Sequence, residues 1–149
     1  MGYDSFPSSL VIRDFNNDKY LDIAVANYGT NDVSILFGNA NGTFANQIAF
    51  STGFGSHPYS IAAGYFNDDV FLDIAVANYG MNEIGVLLSY DNGSFANQVT
   101  YSTGSSSPYF IDVGDLNQDN RLDIVVTNHG TNNIAVLLGL GNGIFTNPM

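Results

Sequence analysis

The stretch LDIAVANYG at residues 21–29 recurs unchanged at residues 72–80, and it recurs as LDIVVTNHG at residues 122–130. The copies start 51 residues apart (21 to 72) and then 50 residues apart (72 to 122). A second motif keeps the same offsets and reads NGTFANQ at 41–47, NGSFANQ at 92–98 and NGIFTNP at 142–148. Because the spacing is held over the whole unit, the chain consists of three copies of one structural unit.

Each unit contains short apolar runs separated by Asn, Gly and Asp. In the second unit the runs are PYSIAAGYF (58–66), LDIAVAN (72–78), EIGVLLSY (83–90) and SFANQVTYS (94–102). Their length and their β-branched and aromatic residues are typical of strands, and none carries a helical apolar stripe. The sequence therefore predicts an all-β fold with four antiparallel strands in each unit of about 50 residues.

A tandem four-stranded unit of this length is typical of β-propeller blades, and a solenoid of stacked sheets is the alternative. We predict a single repeat domain, residues 1–149, with blades at about residues 5–53, 54–104 and 105–149. Three blades leave two apolar sheet faces uncovered. We therefore expect a homodimer that closes a six-bladed ring, or a longer propeller that supplies the remaining blades.

Charge and composition exclude several classes of partner. The chain has 14 acidic and 3 basic residues, and its net charge of −11 argues against nucleic acid and anionic membrane surfaces. No apolar run is long enough to span a bilayer, so we expect no membrane insertion. Cysteine is absent, which excludes disulfides and thiol catalysis. The opening residues, MGYDSF, do not fit the pattern of a signal peptide.

An Asp-rich loop joins the first predicted strand of each unit to the second: DFNNDKYLD (14–22), YFNDDVFLD (65–73) and DLNQDNRLD (115–123). Side chains at positions 1, 3 and 5 point to one side of a curled loop, position 7 adds its backbone carbonyl, and position 9 closes the cage. Oxygen ligands of this kind suit a hard cation, with Ca²⁺ favoured over Mg²⁺. The predicted metal ligands are Asp14, Asn16, Asp18, Tyr20 and Asp22 in loop one, Asn67, Asp69, Phe71 and Asp73 in loop two, and Asp115, Asn117, Asp119, Arg121 and Asp123 in loop three.

The second loop departs from the other two, because Tyr65 stands where the first ligand belongs. Fewer carboxylates mean weaker calcium binding, so we expect loop two to be weak or empty. Position 6 often needs a positive φ, which Asn120 tolerates better than Lys19 or Val70. The alternative for all three loops is that Asp and Asn make ordinary Asx turns between strands.

The stretch DFNNDKYLDIAVAN (14–27) followed by LFGNANGTF (36–44) resembles an FG-GAP repeat, also described as a VCBS repeat. Such repeats are the blades of propellers like those of integrin α-subunits. The dipeptide that gives the repeat its name is Phe37-Gly38 in the first unit and becomes Leu88-Ser89 and Leu138-Gly139 in the others. The resemblance covers essentially the whole chain, and its Asp loop is a fairly specific motif.

The resemblance implies a β-propeller that holds Ca²⁺ in the loop between the first two strands of each blade. It also implies an extracellular or cell-surface setting, where calcium is abundant enough to fill weak sites. Proteins of the family serve in adhesion, in sugar binding by fungal lectins, and as parts of secreted polysaccharide-active proteins. Two departures stand out: Tyr65 breaks one metal loop, and three units are fewer than the blades of a closed propeller.

Five aromatic residues in repeated polar loops are candidates for binding a glycan or a protein. They are Tyr28, Tyr79 and His129 in the N-Y-G and N-H-G turns, and Tyr59 and Tyr109 after proline. The alternative for each of them is ordinary packing.

We expect no catalysis. The acidic residues outside the loops form no repeated or paired arrangement of the kind that a glycosidase needs, and no G-x-S-x-G motif is present. The sequence therefore predicts a non-catalytic calcium-binding module for adhesion or ligand recognition. A purely structural scaffold is the alternative, and an accessory part of a polysaccharide-active enzyme is the least favoured.

Overall fold

The computed structural model describes residues 4–91, 93–104 and 106–149, so residue 105, the predicted start of the third blade, lies outside the described residues. Every regular element in this part of the chain is a β-strand. The strands are β1 (Pro7–Arg13), β2 (Asp22–Asn27), β3 (Asp32–Leu36), β4 (Ile48–Ser51), β5 (Pro58–Gly64), β6 (Asp73–Asn78), β7 (Glu83–Leu87), β8 (Val99–Ser102), β9 (Pro108–Gly114), β10 (Asp123–Asn128) and β11 (Asn133–Leu137). The predicted all-β fold is confirmed.

The strands form three antiparallel sheets, one for each repeat. Their orders are β1-β2-β3-β4, β5-β6-β7-β8 and β9-β10-β11, so each strand pairs with its neighbour in the sequence. This meander is the arrangement of a propeller blade, as the repeat length predicts. No helix in the described part of the chain is long and apolar enough to cross a membrane.

The third sheet has three strands where the sequence predicts four. In the first unit, Ile48 begins the fourth strand opposite Ile35. The equivalent pair, 101 residues further on, is Val136 and Met149, and these two residues exchange backbone hydrogen bonds of 3.3 and 3.0 Å. The third sheet therefore keeps one backbone pairing at the place where the first two sheets have their fourth strand.

The central strand β6 shows why the repeated D-I-A-V-A-N run folds as it does. All six of its residues are buried. Ile74 and Val76 lie in a core shared with the first sheet. Ala75 and Ala77 alternate with them and lie in a core shared with the third sheet. Because strand side chains alternate between two faces, a run whose four central residues are all apolar fits a sheet covered on both sides.

Two cores therefore hold the three sheets together, and both follow the same pattern. Phe95 of the second unit packs edge-on against Phe15 of the first, with ring centroids 6.2 Å apart. Phe145 of the third unit packs edge-on against Phe66 of the second at 5.4 Å. The turn before Phe145 adds a hydrogen bond of 2.7 Å from the amide of Gly143 to the carbonyl of Phe66. The stacking places the three Asp loops at equivalent positions of neighbouring sheets.

Candidate functional site

The first residue of loops one and three ties each loop together through its carboxylate. The two oxygens of Asp14 accept hydrogen bonds from the backbone amides of Asp18 (3.1 Å) and Lys19 (2.7 Å). Asp115 repeats this contact in loop three, with amide distances of 3.1 and 2.9 Å at positions 5 and 6. The carboxylate at position 1 thus holds the backbone of positions 5 and 6 against the start of the loop.

Positions 3, 5 and 7 are also linked in the same way in all three loops. In loop one the side-chain amide of Asn16 donates to Asp18 Oδ2 at 3.0 Å, and the backbone amide of Tyr20 donates to Asp18 Oδ1 at 2.8 Å. The corresponding distances are 2.7 and 2.8 Å in loop two and 3.0 and 2.9 Å in loop three. The carboxylate at position 5 is therefore the centre of each loop.

The backbone conformation of loop two differs from that of loops one and three. Positions 4 and 6 have positive φ in loop one, at Asn17 (59°) and Lys19 (75°), and the same positions of loop three have φ of 62° and 66°. Neither Asp68 nor Val70 adopts a positive φ in loop two. The Lys19 amide is the donor to Asp14, and this bond helps to hold a conformation that a lysine rarely adopts. With Tyr65 at position 1, loop two has no such acceptor and takes a different path.

The carboxylate at position 9 has a structural role that the sequence did not reveal. Asp22 is fully buried, and its oxygens accept hydrogen bonds from the amides of Phe15 and Gly38, each at 2.8 Å. The equivalent bonds are 2.9 and 2.8 Å at Asp73, and 2.9 and 2.8 Å at Asp123. Position 9 thus fastens the Asp loop to the turn after the third strand, where the F-G dipeptide lies.

Burial changes the acidity of this carboxylate. It raises the pKa of Asp73 to about 6, against the opposing effect of the two amides, and the charge of Asp69 adds to the rise. Burial also raises the pKa of Asp22, and the negative charges of Asp18 and Asp14 contribute to that rise. The charged form is therefore held at a cost when no cation is bound.

This shift predicts that acid stabilises the calcium-free protein. A carboxyl whose folded pKa lies above its unfolded value takes up its proton first in the folded state, so stability increases as the pH falls from about 7 towards 4. The contribution of Asp73 is about 2 kcal/mol, since one pKa unit corresponds to about 1.4 kcal/mol. Urea unfolding in EDTA at several pH values would measure it. Asp73→Asn should flatten the profile, and a slope equal to that of the wild type would contradict the assignment.

The donor set of loops one and three fits a hard cation. A carboxylate oxygen that accepts one amide hydrogen bond keeps a second lone pair, so positions 1 and 5 retain oxygens for a metal beside the amide oxygen of position 3 and the carbonyl of position 7. Loop two lacks one of these carboxylates. In the described ranges, no three His, Cys, Asp or Glu side chains gather into a metal-binding group. The predicted ligands therefore stay a prediction.

The five aromatic candidates lie together, although they are spread over three units. Tyr59 is the centre: its ring is 4.2 Å from Tyr109, 5.9 Å from Tyr79 and 6.3 Å from Tyr28 between centroids. Tyr109 is in turn 5.8 Å from His129. The hydroxyls of Tyr59 and Tyr109 are hydrogen bonded at 2.7 Å. The rings form a connected cluster where β5 and β9 begin and where β2, β6 and β10 end.

A sixth ring, His57, was not among the predicted residues. It stacks on Tyr28 with centroids 4.6 Å apart, and its Nδ1 lies 3.0 Å from the Tyr28 carbonyl oxygen. Its place before Pro58 is taken by Phe6 in the first unit and by Ser107 in the third, so the repeat pattern did not single out a histidine here. We call these six residues the aromatic strip: Tyr28, His57, Tyr59, Tyr79, Tyr109 and His129.

The aromatic strip is accessible along its length. Tyr28, His57, Tyr59 and Tyr79 are half-buried, and Tyr109 and His129 are exposed. The hydrogen bond with Tyr109 raises the pKa of Tyr59, so that hydroxyl stays protonated at neutral pH. The strip therefore offers ring faces and hydroxyl groups to solvent, which is a surface able to contact a ligand.

One comparison with known proteins found a match. A family model described as an FG-GAP-like repeat matches residues 14–76 and again residues 65–126. The two matches overlap at the second Asp loop and together cover about three quarters of the chain. No curated protein matches the sequence.

Proposed function

Because this chain belongs to the FG-GAP-like repeat family, we propose that it is a non-catalytic, calcium-binding propeller module that recognises a glycan or a protein outside the cell. The observation that carries the proposal is the shared conformation of loops one and three. Each loop gathers three acidic residues. The carboxylate at position 1 accepts hydrogen bonds from the amides of positions 5 and 6, and the carboxylate at position 5 accepts one from the amide of position 7. An extracellular location fits loops of this kind, because modules that bind calcium weakly work where the ion is abundant.

Calcium would relieve the repulsion that the loops contain. In loop one the charges of Asp14 and Asp18 already oppose ionisation of Asp22. A cation on positions 1, 3, 5, 7 and 9 would lower that cost and would fix the path of the loop. Position 9 would be held in place by the amides of Phe15 and Gly38, while each of its oxygens keeps a second lone pair for the ion. The ion would act as a structural element of the blade.

Removal of calcium is expected to lower the melting temperature, because an ion bound only by the folded state stabilises it by mass action. Isothermal titration should give two sites in the wild type. Asp18→Ala and Asp119→Ala should each remove one site, and Tyr65→Asp should add a third by completing loop two. Asp68→Ala, which removes a charge from position 4, serves as the control and should leave both sites. Wild-type calcium binding by the double variant Asp18→Ala, Asp119→Ala would contradict the ligand assignment.

The aromatic strip is the surface that would recognise the ligand. Ring faces pack against the apolar faces of sugars or of side chains, and the tyrosine hydroxyls and histidine nitrogens add hydrogen bonds. The strip spans three units through Tyr28, Tyr59 and Tyr109. An extended ligand, such as a chain of sugars or a peptide, would therefore contact several units at once.

A glycan array probed in calcium would test recognition of sugars by this surface. We expect the Tyr59→Ala, Tyr109→Ala double variant to lose at least about tenfold in affinity for any glycan that binds, because aromatic anchors dominate such contacts. Tyr90→Ala, at an exposed tyrosine outside the strip, is the matched control. Binding that survives loss of both strip tyrosines would refute the site. A wild-type protein that binds no glycan and no protein would favour the scaffold alternative.

A further inference from the structure

We propose that Tyr59 and Tyr109 form a site of oxidative cross-linking, at which a carbon–carbon bond between their rings joins the second and third units covalently. The two phenol hydroxyls are 2.7 Å apart, and the ring centroids are 4.2 Å apart. The chain has no cysteine, so a disulfide cannot supply such a link. The inference goes beyond the proposed function, since it requires neither calcium nor a bound ligand.

A β-bulge positions each of the two tyrosines. In the second sheet the register between β5 and β6 shifts between Pro58 and Ser60, so Tyr59 occupies the bulge. Tyr109 occupies the same bulge in the third sheet, and Ser8 occupies it in the first. A bulge kinks its strand and re-aims the side chain that it carries. The Ser8 hydroxyl donates a hydrogen bond of 2.9 Å to the carbonyl of Pro58, so the bulges of neighbouring units contact each other in both places.

Buried contacts hold the two strands side by side next to the rings. The backbone amide of Ile111 in β9 donates a hydrogen bond of 3.2 Å to the hydroxyl of Ser60 in β5, and both residues are buried. Ile111 also belongs to the core between the second and third sheets. Because these contacts lie one residue from Tyr59 and two residues from Tyr109, the backbone holds the two rings in a defined arrangement.

Among the three tyrosine neighbours of Tyr59, Tyr109 has the geometry for coupling. The ring of Tyr28 is nearly perpendicular to that of Tyr59, at 88°, with centroids 6.3 Å apart. The ring of Tyr79 is inclined by 43° at 5.9 Å, whereas that of Tyr109 is inclined by 31° at 4.2 Å. The rings of Tyr59 and Tyr109 converge towards their bonded hydroxyls. The carbons ortho to those hydroxyls lie on the converging side, and these are the carbons that phenoxyl radicals join.

The reaction balances with a haem peroxidase and hydrogen peroxide as the oxidant. One electron and the hydroxyl proton leave each ring, which gives two phenoxyl radicals. The radicals form one bond between their ortho carbons, each of which then loses its proton while the oxygen of the same ring regains one. The two electrons and two protons released overall reduce hydrogen peroxide to two molecules of water. Tyr109 is 40% exposed, so an oxidant in solution can reach the pair.

Cyanogen bromide cleavage of the oxidised full chain tests the site, because Met81 lies between the two tyrosines. The protein is treated with a haem peroxidase and limiting hydrogen peroxide at low protein concentration before cleavage. The cross-link should keep the fragments on either side of Met81 joined. Tyr59→Phe and Tyr109→Phe, which each keep the ring but lose the hydroxyl, should separate into two fragments. Tyr90→Phe, at an exposed tyrosine outside the aromatic strip, is the control and should stay joined.

The expected product is a single chain that is lighter by two hydrogen atoms and shows the fluorescence of dityrosine. Oxidation of Met81 would block cleavage but would add an oxygen atom, so the intact mass distinguishes the two reactions. Closing the segment of 50 residues between the tyrosines should raise the melting temperature by at least about 5 °C, because the unfolded chain loses conformational freedom. Joined fragments in Tyr59→Phe, a wild type that forms no dityrosine, or coupling only between separate chains would overturn the proposal.

Discussion

Phe95→Ala is expected to lower the free energy of unfolding by about 3 to 4 kcal/mol, which is the usual cost of truncating a buried phenylalanine. The ring lies between the first and second sheets, edge-on to Phe15 at 6.2 Å and to Phe50 at 5.1 Å. Removing it leaves a cavity between two sheets, and neither sheet can close over it without breaking its own strand pairing. Urea unfolding followed by far-UV circular dichroism measures the change.

The repeat provides a matched control at the same local sequence. Phe44→Ala removes the same side chain from a position that is 46% exposed, and it should cost less than about 1 kcal/mol in the monomer. Measurements at low protein concentration keep association out of the comparison. Equal losses for the two variants would mean that the contact between sheets contributes no more than the local turn does.

Asp22→Ala is expected to destabilise the calcium-free protein by about 2 to 3 kcal/mol at pH 7. The carboxylate accepts hydrogen bonds from the buried amides of Phe15 and Gly38, and each buried donor left without an acceptor costs about 1 to 3 kcal/mol. Part of this loss is offset, because the variant no longer buries a negative charge. Urea unfolding in EDTA measures the effect without any contribution from bound ions.

Asp18→Ala separates this structural effect from calcium binding. Asp18 is exposed, and its hydrogen bonds lie at the surface, so the same measurement in EDTA should show a loss below about 1 kcal/mol. With calcium present, the two variants should both be weaker than the wild type. If Asp18→Ala cost as much as Asp22→Ala in EDTA, the buried carboxylate would not be the main fastening of the loop.

Repeat spacing predicted the fold well, because each unit carries its own strand pattern and turn residues. The D-I-A-V-A-N run could be assigned to a buried strand from its composition, and β6 is buried throughout. The third sheet departs from the predicted four strands, because only Val136 and Met149 pair where the other sheets have a fourth strand. A local sequence pattern predicts the sheets of this chain well because the paired strands are consecutive in the sequence.

The candidate site could be predicted from the sequence only in part. The sequence gives the number of oxygens in each loop, but not that position 9 turns inward to bond Phe15 and Gly38 in the first unit. The aromatic strip depends on how neighbouring units stack, and the contact of His57 with Tyr28 of the preceding unit could not be inferred from its equivalents, Phe6 and Ser107. The repeated sequence pattern predicts the structure within each unit, but it does not predict which side chains of neighbouring units contact each other.

The order of the strands also has a consequence for how the chain folds during synthesis. In the three sheets of the described residues, each strand after the first pairs with the strand that precedes it in the sequence. The loops to be closed are short, so the entropy lost before a sheet forms is small for an all-β protein. A growing chain can complete one sheet from residues already made, and the next unit then meets a finished apolar surface. Each newly synthesised repeat would then cover the apolar face of the repeat that precedes it.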